Sequence, residues 1–244
     1  MCPLAKLFAV LWLATAAGAA DPSAAEILQR VLAHRAPKDF SLQARLFLSP
    51  DRVVPATLLV RNTATGAATL LRAGHDELLI LQPDTGPVRF YDRAGEITGA
   101  AVNRRFAGSQ FTLYDLGLPF LRWPNVKRIG AERHRGRDCH VIEATATGAP
   151  YGRMVLWIDQ TFAALLRADG YDADGNLVKR LAVTSFKRLG DLWVPRAIEA
   201  ATVPPGQALP AQEKSRLEVY AGDYDTQLPA EWFDPQSFSR AAPR

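Results

Sequence analysis

Cysteine is nearly absent from this chain of 244 residues: it has two, Cys2 and Cys139. A fold stapled by disulfides is therefore excluded, and any core must hold by packing alone. After residue 20 no apolar run approaches the ~20 residues that a membrane-spanning helix needs. Lysine and arginine never gather into a block, and 29 basic residues stand against 25 acidic ones. So even a balance leaves no electrostatic footprint for nucleic acid. The sequence also lacks a Gly-x-Ser-x-Gly elbow, a cofactor-binding glycine loop and a metal-ligand set. These absences point away from an enzyme and imply neither cofactor nor metal.

What the first twenty residues do contain is a secretion pattern. Lys6 precedes the apolar run Leu7 to Ala14, and small residues follow from Ala16 to Ala20. Residues 1–20 are thus expected to be a cleaved signal peptide, with residues 21–244 forming one soluble domain. Cys2 lies before the apolar run and not at the cleavage point, so no lipid anchor is expected there.

Ser23 and Glu26 have capping-box spacing, and Ile27, Leu28, Val31 and Leu32 recur on one face before Pro37. One amphipathic helix is predicted. From Phe40 the text turns to short alternating runs: 41–48, 56–62, 69–73, 78–82 and 88–92. Turn residues such as Thr65-Gly66, Ala73-Gly74 and Pro83 to Pro87 divide them. Further strands are predicted at 126–135, 139–144, 153–159, 164–171, 177–189, 192–201 and 214–220. Turns are expected at Gly136-Arg137, Asp174-Gly175 and Gly190-Asp191. So many short strands mean a barrel, a sandwich or a strongly curved open sheet.

The interval 103–123 breaks that rhythm, since Phe106, Phe111, Leu113, Tyr114, Leu116, Leu118, Phe120, Leu121 and Trp123 fall too densely for a one-sided strand. A short helix at 112–116 followed by an apolar loop is predicted. A segment this greasy must cover something. Phe111, Leu118, Phe120 and Trp123 either form a lid that touches cargo or plug the sheet. For Leu58, Val60, Leu71, Leu79, Leu81, Phe90, Val155 and Trp157, strand periodicity leaves open whether they line a cavity or fill a core.

Several polar clusters invite sharper chemistry. Ser109 and Asp115 suit a turn or cap bracing the short helix better than catalysis. In a hairpin turning at Gly136-Arg137, His134 and Cys139 share a face from which His140 points away, too few ligands for a metal. Asp172, Asp174 and Gly175 lack the spacing of a calcium loop. The arginines at 104, 105, 133, 135 and 137 read as solvated strand faces, or as contacts to anionic head groups or an acidic partner.

Gly108-Ser109-Gln110-Phe111-Thr112-Leu113-Tyr114-Asp115-Leu116 resembles the Gly-Ser-x-Phe-Ser/Thr-x-x-Asp-Leu signature of the LolA-like family of outer-membrane lipoprotein-sorting proteins, with Gln110 in place of an acidic residue. Three more pieces agree in order: Val155 to Asp159, Leu192 to Pro195, and Leu228 to Phe233. The resemblance implies a mainly β (α+β) fold. In it, a curved antiparallel sheet forms an incomplete barrel, with an N-terminal helix and a short helix or loop over the concave face. It also implies a periplasmic carrier that takes lipoprotein acyl chains or lipid from an inner-membrane exporter to an outer-membrane acceptor. Such shelter has a physical purpose: at about 0.8 kcal/mol per methylene, a chain of roughly fifteen costs ~12 kcal/mol to expose to water. The alternative is a regulatory or adaptor domain on the same scaffold, binding a transporter or envelope protein without catalysis.

Overall fold

The computed structural model describes residues 21–204 and 214–240. The expected leader at 1–20 and most of the loop that follows Val203 lie outside them.

Helix α1 (Ala24–Ala33) opens as its sequence predicts. The Ser23 backbone N–H donates to Glu26 Oε2 at 2.7 Å, and the Glu26 N–H donates back to Ser23 Oγ at 3.3 Å. Its apolar stripe buries Ile27 and Leu28.

Among the described residues thirteen strands follow: β1 (Phe40–Ser49), β2 (Arg52–Thr63), β3 (Gly66–Ala73), β4 (Asp76–Pro83), β5 (Arg89–Asp92), β6 (Gly95–Ile97), β7 (Asn125–His134), β8 (Arg137–Thr145), β9 (Arg153–Asp159), β10 (Leu165–Tyr171), β11 (Leu177–Leu189), β12 (Leu192–Thr202) and β13 (Lys214–Tyr224). They form one antiparallel sheet in the order β6-β5-β4-β3-β2-β1-β13-β12-β11-β10-β9-β8-β7. The chain thus runs as two meanders joined at the middle by the pairing of β1 with β13. Strands β6 and β7 are left as unpaired edges, so the sheet does not close into a barrel. Bulges between Gln43 and Ala44, and between Arg128 and Gly130, help to bend it.

This topology dictates the most important connection. Because β6 and β7 lie at opposite edges, residues 98–124 must cross from one edge to the other. They do so over the concave face, as 3-10 turns at Gly99–Asn103 and Phe106–Gly108, helix α2 (Leu113–Gly117), and a further 3-10 turn at Pro119–Arg122. The predicted short helix is present, capped by Thr112.

Registered rows of side chains build the concave face. Leu42, Leu58, Leu71 and Leu78 stand side by side across β1 to β4. Ile142, Leu156, Ala168, Leu181 and Ala200 do the same across β8 to β12. The adjoining row Ala44-Ala56-Ala73 is buried and small, leaving depth for what packs above it.

The convex face is not bare. Leu59, Leu70, Leu79 and Tyr91 form a registered row under Phe233 and Phe238, which are brought there by a 3-10 turn at Ala230–Phe233 and helix α3 (Pro235–Arg240). Cys139, Val141, Val155, Trp157 and Leu166 make another outer cluster. The Arg167 guanidinium lies 4.1 Å over the Trp157 ring. Beside it Asp169, 1% exposed, accepts from Arg180 Nε at 2.7 Å and from Arg167. Burial alone would raise its pKa, but the two guanidinium groups outweigh burial and hold the carboxyl below its usual range.

The hairpin between β7 and β8 departs from its predicted register by one residue. Its turn is Arg135-Gly136, both at positive φ (49° and 80°), so His134 faces Arg137 and Cys139 faces Glu132. Such a pair of left-handed residues, as in a type I′ turn, matches the twist of the flanking strands in a two-residue turn.

Candidate functional site

The crossing segment and the concave face together form the candidate site. Its local structure begins at Ser109, fully buried, whose hydroxyl donates to the Phe106 carbonyl at 2.6 Å and accepts from the Phe111 N–H at 3.2 Å. Both capacities of the hydroxyl are used in shaping the turn, which explains a serine at this place. Gly108 supplies the left-handed conformation that the turn requires (φ 71°). Thr112 and Asp115 then cap α2 reciprocally: the Thr112 N–H donates to Asp115 Oδ2 at 2.9 Å, and the Asp115 N–H to Thr112 Oγ1 at 3.1 Å.

Asp115 does more than cap. Its Oδ1 accepts from the Tyr151 hydroxyl at 2.7 Å, and its Oδ2 lies 3.2 Å from Lys179 Nζ, with side chains 0% and 5% exposed. Lys179 Nζ also donates to the Gln110 carbonyl at 2.6 Å and to Thr202 Oγ1 at 3.1 Å. The Gln110 N–H donates to Ser215 Oγ at 2.9 Å. A buried polar network therefore pins the first half of the crossing segment to β11, β12 and β13. Burial, together with the neighbouring carboxylate, pushes the Tyr151 phenol far above its usual range. Tyr114, which accepts from Trp123 Nε1 at 3.1 Å, is pushed up to about 12 by burial.

The second half is held at its edges. Gln82 Nε2 donates to the Gly117 carbonyl at 3.0 Å, and Arg122 Nη2 to the Pro83 carbonyl at 3.2 Å. Leu118 adopts a left-handed conformation (φ 50°, ψ 42°) that ends α2 and starts the next turn. Gly117 sits so tightly that a Cβ there would fall 2.5 Å from Cε1 and Cζ of the buried Phe90 ring. Gly117→Ala is expected to destabilise the fold by ~1–3 kcal/mol through overpacking, read as a lowered denaturant midpoint at unchanged m-value.

Two cavities flank this segment. One, of about 720 Å³, lies between the C-terminal half of α1, the concave face of β2–β4 and the segment itself, reaching β10–β12. Leu58, Leu71, Ile80, Phe111, Leu116 and Leu118 are among its walls. The other is an open cleft of about 1170 Å³. Phe90, Glu96 and Ile97 line it from one edge of the sheet and Val126 from the other, so it occupies the gap that the unclosed sheet leaves. The first volume falls within the range that ligand pockets have, roughly 300–1,000 Å³, and the open cleft exceeds it.

The residues expected to meet cargo divide by position. Leu58, Leu71, Phe111 and Leu118 line the smaller cavity, and Phe90 and Trp123 the cleft. Val60 stands on the concave side, between Phe40 and Thr69 in register, but lines neither. Phe120 is 0% exposed and fills the core. Leu79 and Leu81 belong to the outer cluster beneath α3, and Val155 and Trp157 to the outer cluster beside β10. These four point away from the concave face. They sit in the apolar runs Leu78-Leu79-Ile80-Leu81 and Met154 to Ile158, whose strands are covered on both sides, and there alternation carries no sign of which face is inward. Of the motif residues, Asp115 and Leu116 reach the cavity wall, while Gly108 and Ser109 shape the turn before it. The sequence reading missed Lys179, although its even spacing from Leu181 along β11 places it on the inward face.

The model of the DUF1329-like family, described as uncharacterized proteins, matches residues 66–240. The chain belongs to this family. The match begins at β3 and runs through α3, so it takes in the crossing segment, the Lys179 anchor and the outer cover. A search of curated proteins finds no match. Among solved structures, one from Vibrio parahaemolyticus, designated an outer membrane lipoprotein-sorting protein domain, superposes with a TM-score of 0.73 at 19% identity, covering 88% of this chain and 98% of that one. A DUF1329-family protein from Desulfovibrio piger gives 0.70 at 17% identity, covering 88% and 97%. A LolA-superfamily protein from Nitrosomonas europaea gives 0.52 at 18% identity, covering 88% and 99%. The fold is thus that of the LolA-like structures, as the sequence signature implies.

Proposed function

We propose that the protein is a non-catalytic carrier that shelters an acyl chain, of a lipoprotein or a lipid, between the concave face of its open sheet and the crossing segment. The observation that carries this reading is the 720 Å³ cavity walled by Leu58, Leu71, Ile80, Leu116 and Leu118 beneath a segment anchored firmly at one end. The relatives of the same fold include one designated for lipoprotein sorting, which favours such cargo here. In this reading the chain works in the periplasm, between an inner-membrane exporter and an outer-membrane acceptor. Among the described residues no helix is long and apolar enough to cross a membrane.

The test is uptake of a fluorescent acyl probe. The parent protein is expected to bind it, and Thr69→Trp, which projects an indole into the cavity wall, is expected to weaken binding roughly tenfold or more, about 1.4 kcal/mol, while cooperative unfolding is retained. A parent protein that takes up no probe, and that carries no lipid in native mass spectra, would overturn the proposal.

A second reading, an adaptor, draws on one feature. Trp193 is 61% exposed at the cavity rim, close to Phe186 at 38%, an apolar rim of the kind that partner proteins cover. Binding of an envelope protein that survives Thr69→Trp but not Trp193→Ser would favour it.

A further inference from the structure

The two cavities share a wall, and Arg122 is in it. It ends the 3-10 turn that follows α2, with Phe120 and Leu121 buried just before it. The charged side chains around the cavities are otherwise matched within the protein. Arg89 holds Glu96 through two bonds of 3.0 Å, and Arg35 meets Asp84 at 2.7 Å. Asp115 has Lys179, and Arg167 has Asp169. Arg122 differs from all of these. Its Nη2 reaches one backbone carbonyl, while Nε and Nη1 are buried with no hydrogen-bond partner among the described residues.

A guanidinium has five N–H donors in a fixed fork that suits the paired oxygens of a carboxylate or phosphate. Leaving several of them buried and unmatched is costly, and a charge-assisted pair is the strongest way to satisfy them. Asp84 acts on Arg122 through its charge but makes no hydrogen bond or ion pair with it among the described residues, its Oδ1 meeting Arg35 instead. Arg35 and Arg122 against one carboxylate leave an excess positive charge where the cavities adjoin. Burial, followed by the opposing influences of Asp84 and Arg35, lowers the pKa of Arg122 from its usual value, which marks the desolvation that an anion would offset.

We propose that Arg122 is a head-group site, receiving the anionic end of a single-chain amphiphile whose tail lies along the leucine-lined concave face. The inference rests on the carrier reading and narrows it, from acyl chains in general to those ending in a carboxylate or a phosphate. With the tail against Leu118 and Leu71, the head lies at the wall shared with the open cleft, on the side of the sheet's unpaired edges. Nε and Nη1 are buried within the wall, so an anion meets them when the Arg122 side chain turns toward a cavity.

The experiment compares four probes on the whole protein: hexadecanoate, hexadecyl phosphate, methyl hexadecanoate and 1-hexadecanol, each by displacement of a fluorescent acyl chain. The parent protein is expected to prefer at least one anion over the neutral pair by roughly tenfold or more. The stronger of the two anions identifies carboxylate or phosphate as the head group. Arg122→Gln is expected to abolish the preference, read as the ratio of anion to neutral affinity, which cancels any loss common to all four probes when the bond to the Pro83 carbonyl is removed. Arg122→Lys, which keeps the charge but not the fork, retains part of it. Equal binding of anions and neutral probes by the parent would overturn the head-group site and leave the carrier reading standing, as would a preference that survives Arg122→Gln. Failure of all four to bind would overturn the carrier reading itself.

Discussion

Replacing Lys179 with methionine is expected to destabilise the protein by about 3–5 kcal/mol, which for a domain of this size lowers the thermal midpoint by roughly 6–20 °C. The size of the effect follows from what the substitution leaves behind. Asp115 keeps its bonds from Tyr151 and from the Thr112 N–H, but a carboxylate at 0% exposure loses the only cation within ion-pair distance among the described residues. The Gln110 carbonyl and Thr202 hydroxyl lose their donor in the same step. Desolvation that the pair made tolerable becomes an uncompensated penalty. Adding Asp115→Asn removes the stranded charge while preserving an acceptor for the cap, so the double variant is expected to recover much of the loss. A coupling energy in the upper part of ~0.5–3 kcal/mol, from a double-mutant cycle of denaturant unfolding, would bear this out. Additivity of the two single changes would show that the pair contributes nothing as a pair.

Stability is only one consequence of that network. Lys179 of β11, bonded to Thr202 of β12, holds Gln110 and Asp115 at the start of the crossing segment, and Ser215 of β13 holds Gln110 as well, whereas among the described residues nothing comparable holds Leu116 to Leu121. Beyond Gly117 the segment depends on Gln82, Arg122 and apolar packing. An arrangement fixed at one end and packed by side chains at the other can admit a chain beneath Leu116 and Leu118 without unfolding the fixed end. This is the mechanical content of the carrier proposal. It explains why a fold with an apolar interior places an ion pair inside it: the pair specifies where the segment attaches, at a cost that hydrophobic residues would not incur.

The fold was largely legible in the sequence, because strands covered on one face announce themselves. Leu42, Ala44 and Leu46 alternate with Gln43 and Arg45, and β1 lies where that pattern put it. The helix at Ser23 was legible from its cap, and the short helix at Thr112 from the apolar density around it. Legibility failed where a second layer intervened. Phe233 and Phe238 cover the outer side of β2 to β5, so Leu79 lost the polar neighbours that would have shown which way it faces. Strand order was also beyond reach. Nothing local in β1 or β13 says that they pair, yet this pairing sends residues 98–124 across the concave face. Arg122 and Lys179 were hidden for a related reason: a single cation in a strand or turn reads as a solvated one until the topology shows what lies above it.

Phe120 and Leu118, two residues apart, are expected to give opposite results, and the contrast separates plug from lid. Phe120 is fully buried and touches the core, not either cavity, so Phe120→Ala should cost about 3–5 kcal/mol, the transfer free energy of the ring plus the void it leaves. Leu118 is half-buried at the cavity wall and held at φ 50°, where a leucine is strained. Leu118→Gly relieves that strain as it removes the side chain, so its net cost should stay below about 2 kcal/mol. In binding the order reverses. At about 25 cal/mol per Å² of apolar surface, loss of a leucine from the wall that meets the chain weakens an acyl probe by roughly 1–2 kcal/mol, or five- to thirtyfold. Phe120→Ala, so long as it folds, leaves that wall intact and should bind the probe within a few-fold of the parent. Urea unfolding and probe titration on the same two variants measure both quantities. If Leu118→Gly binds as well as the parent while Phe120→Ala does not, the crossing segment is a plug throughout, and cargo must lie in the open cleft at the sheet's unpaired edges.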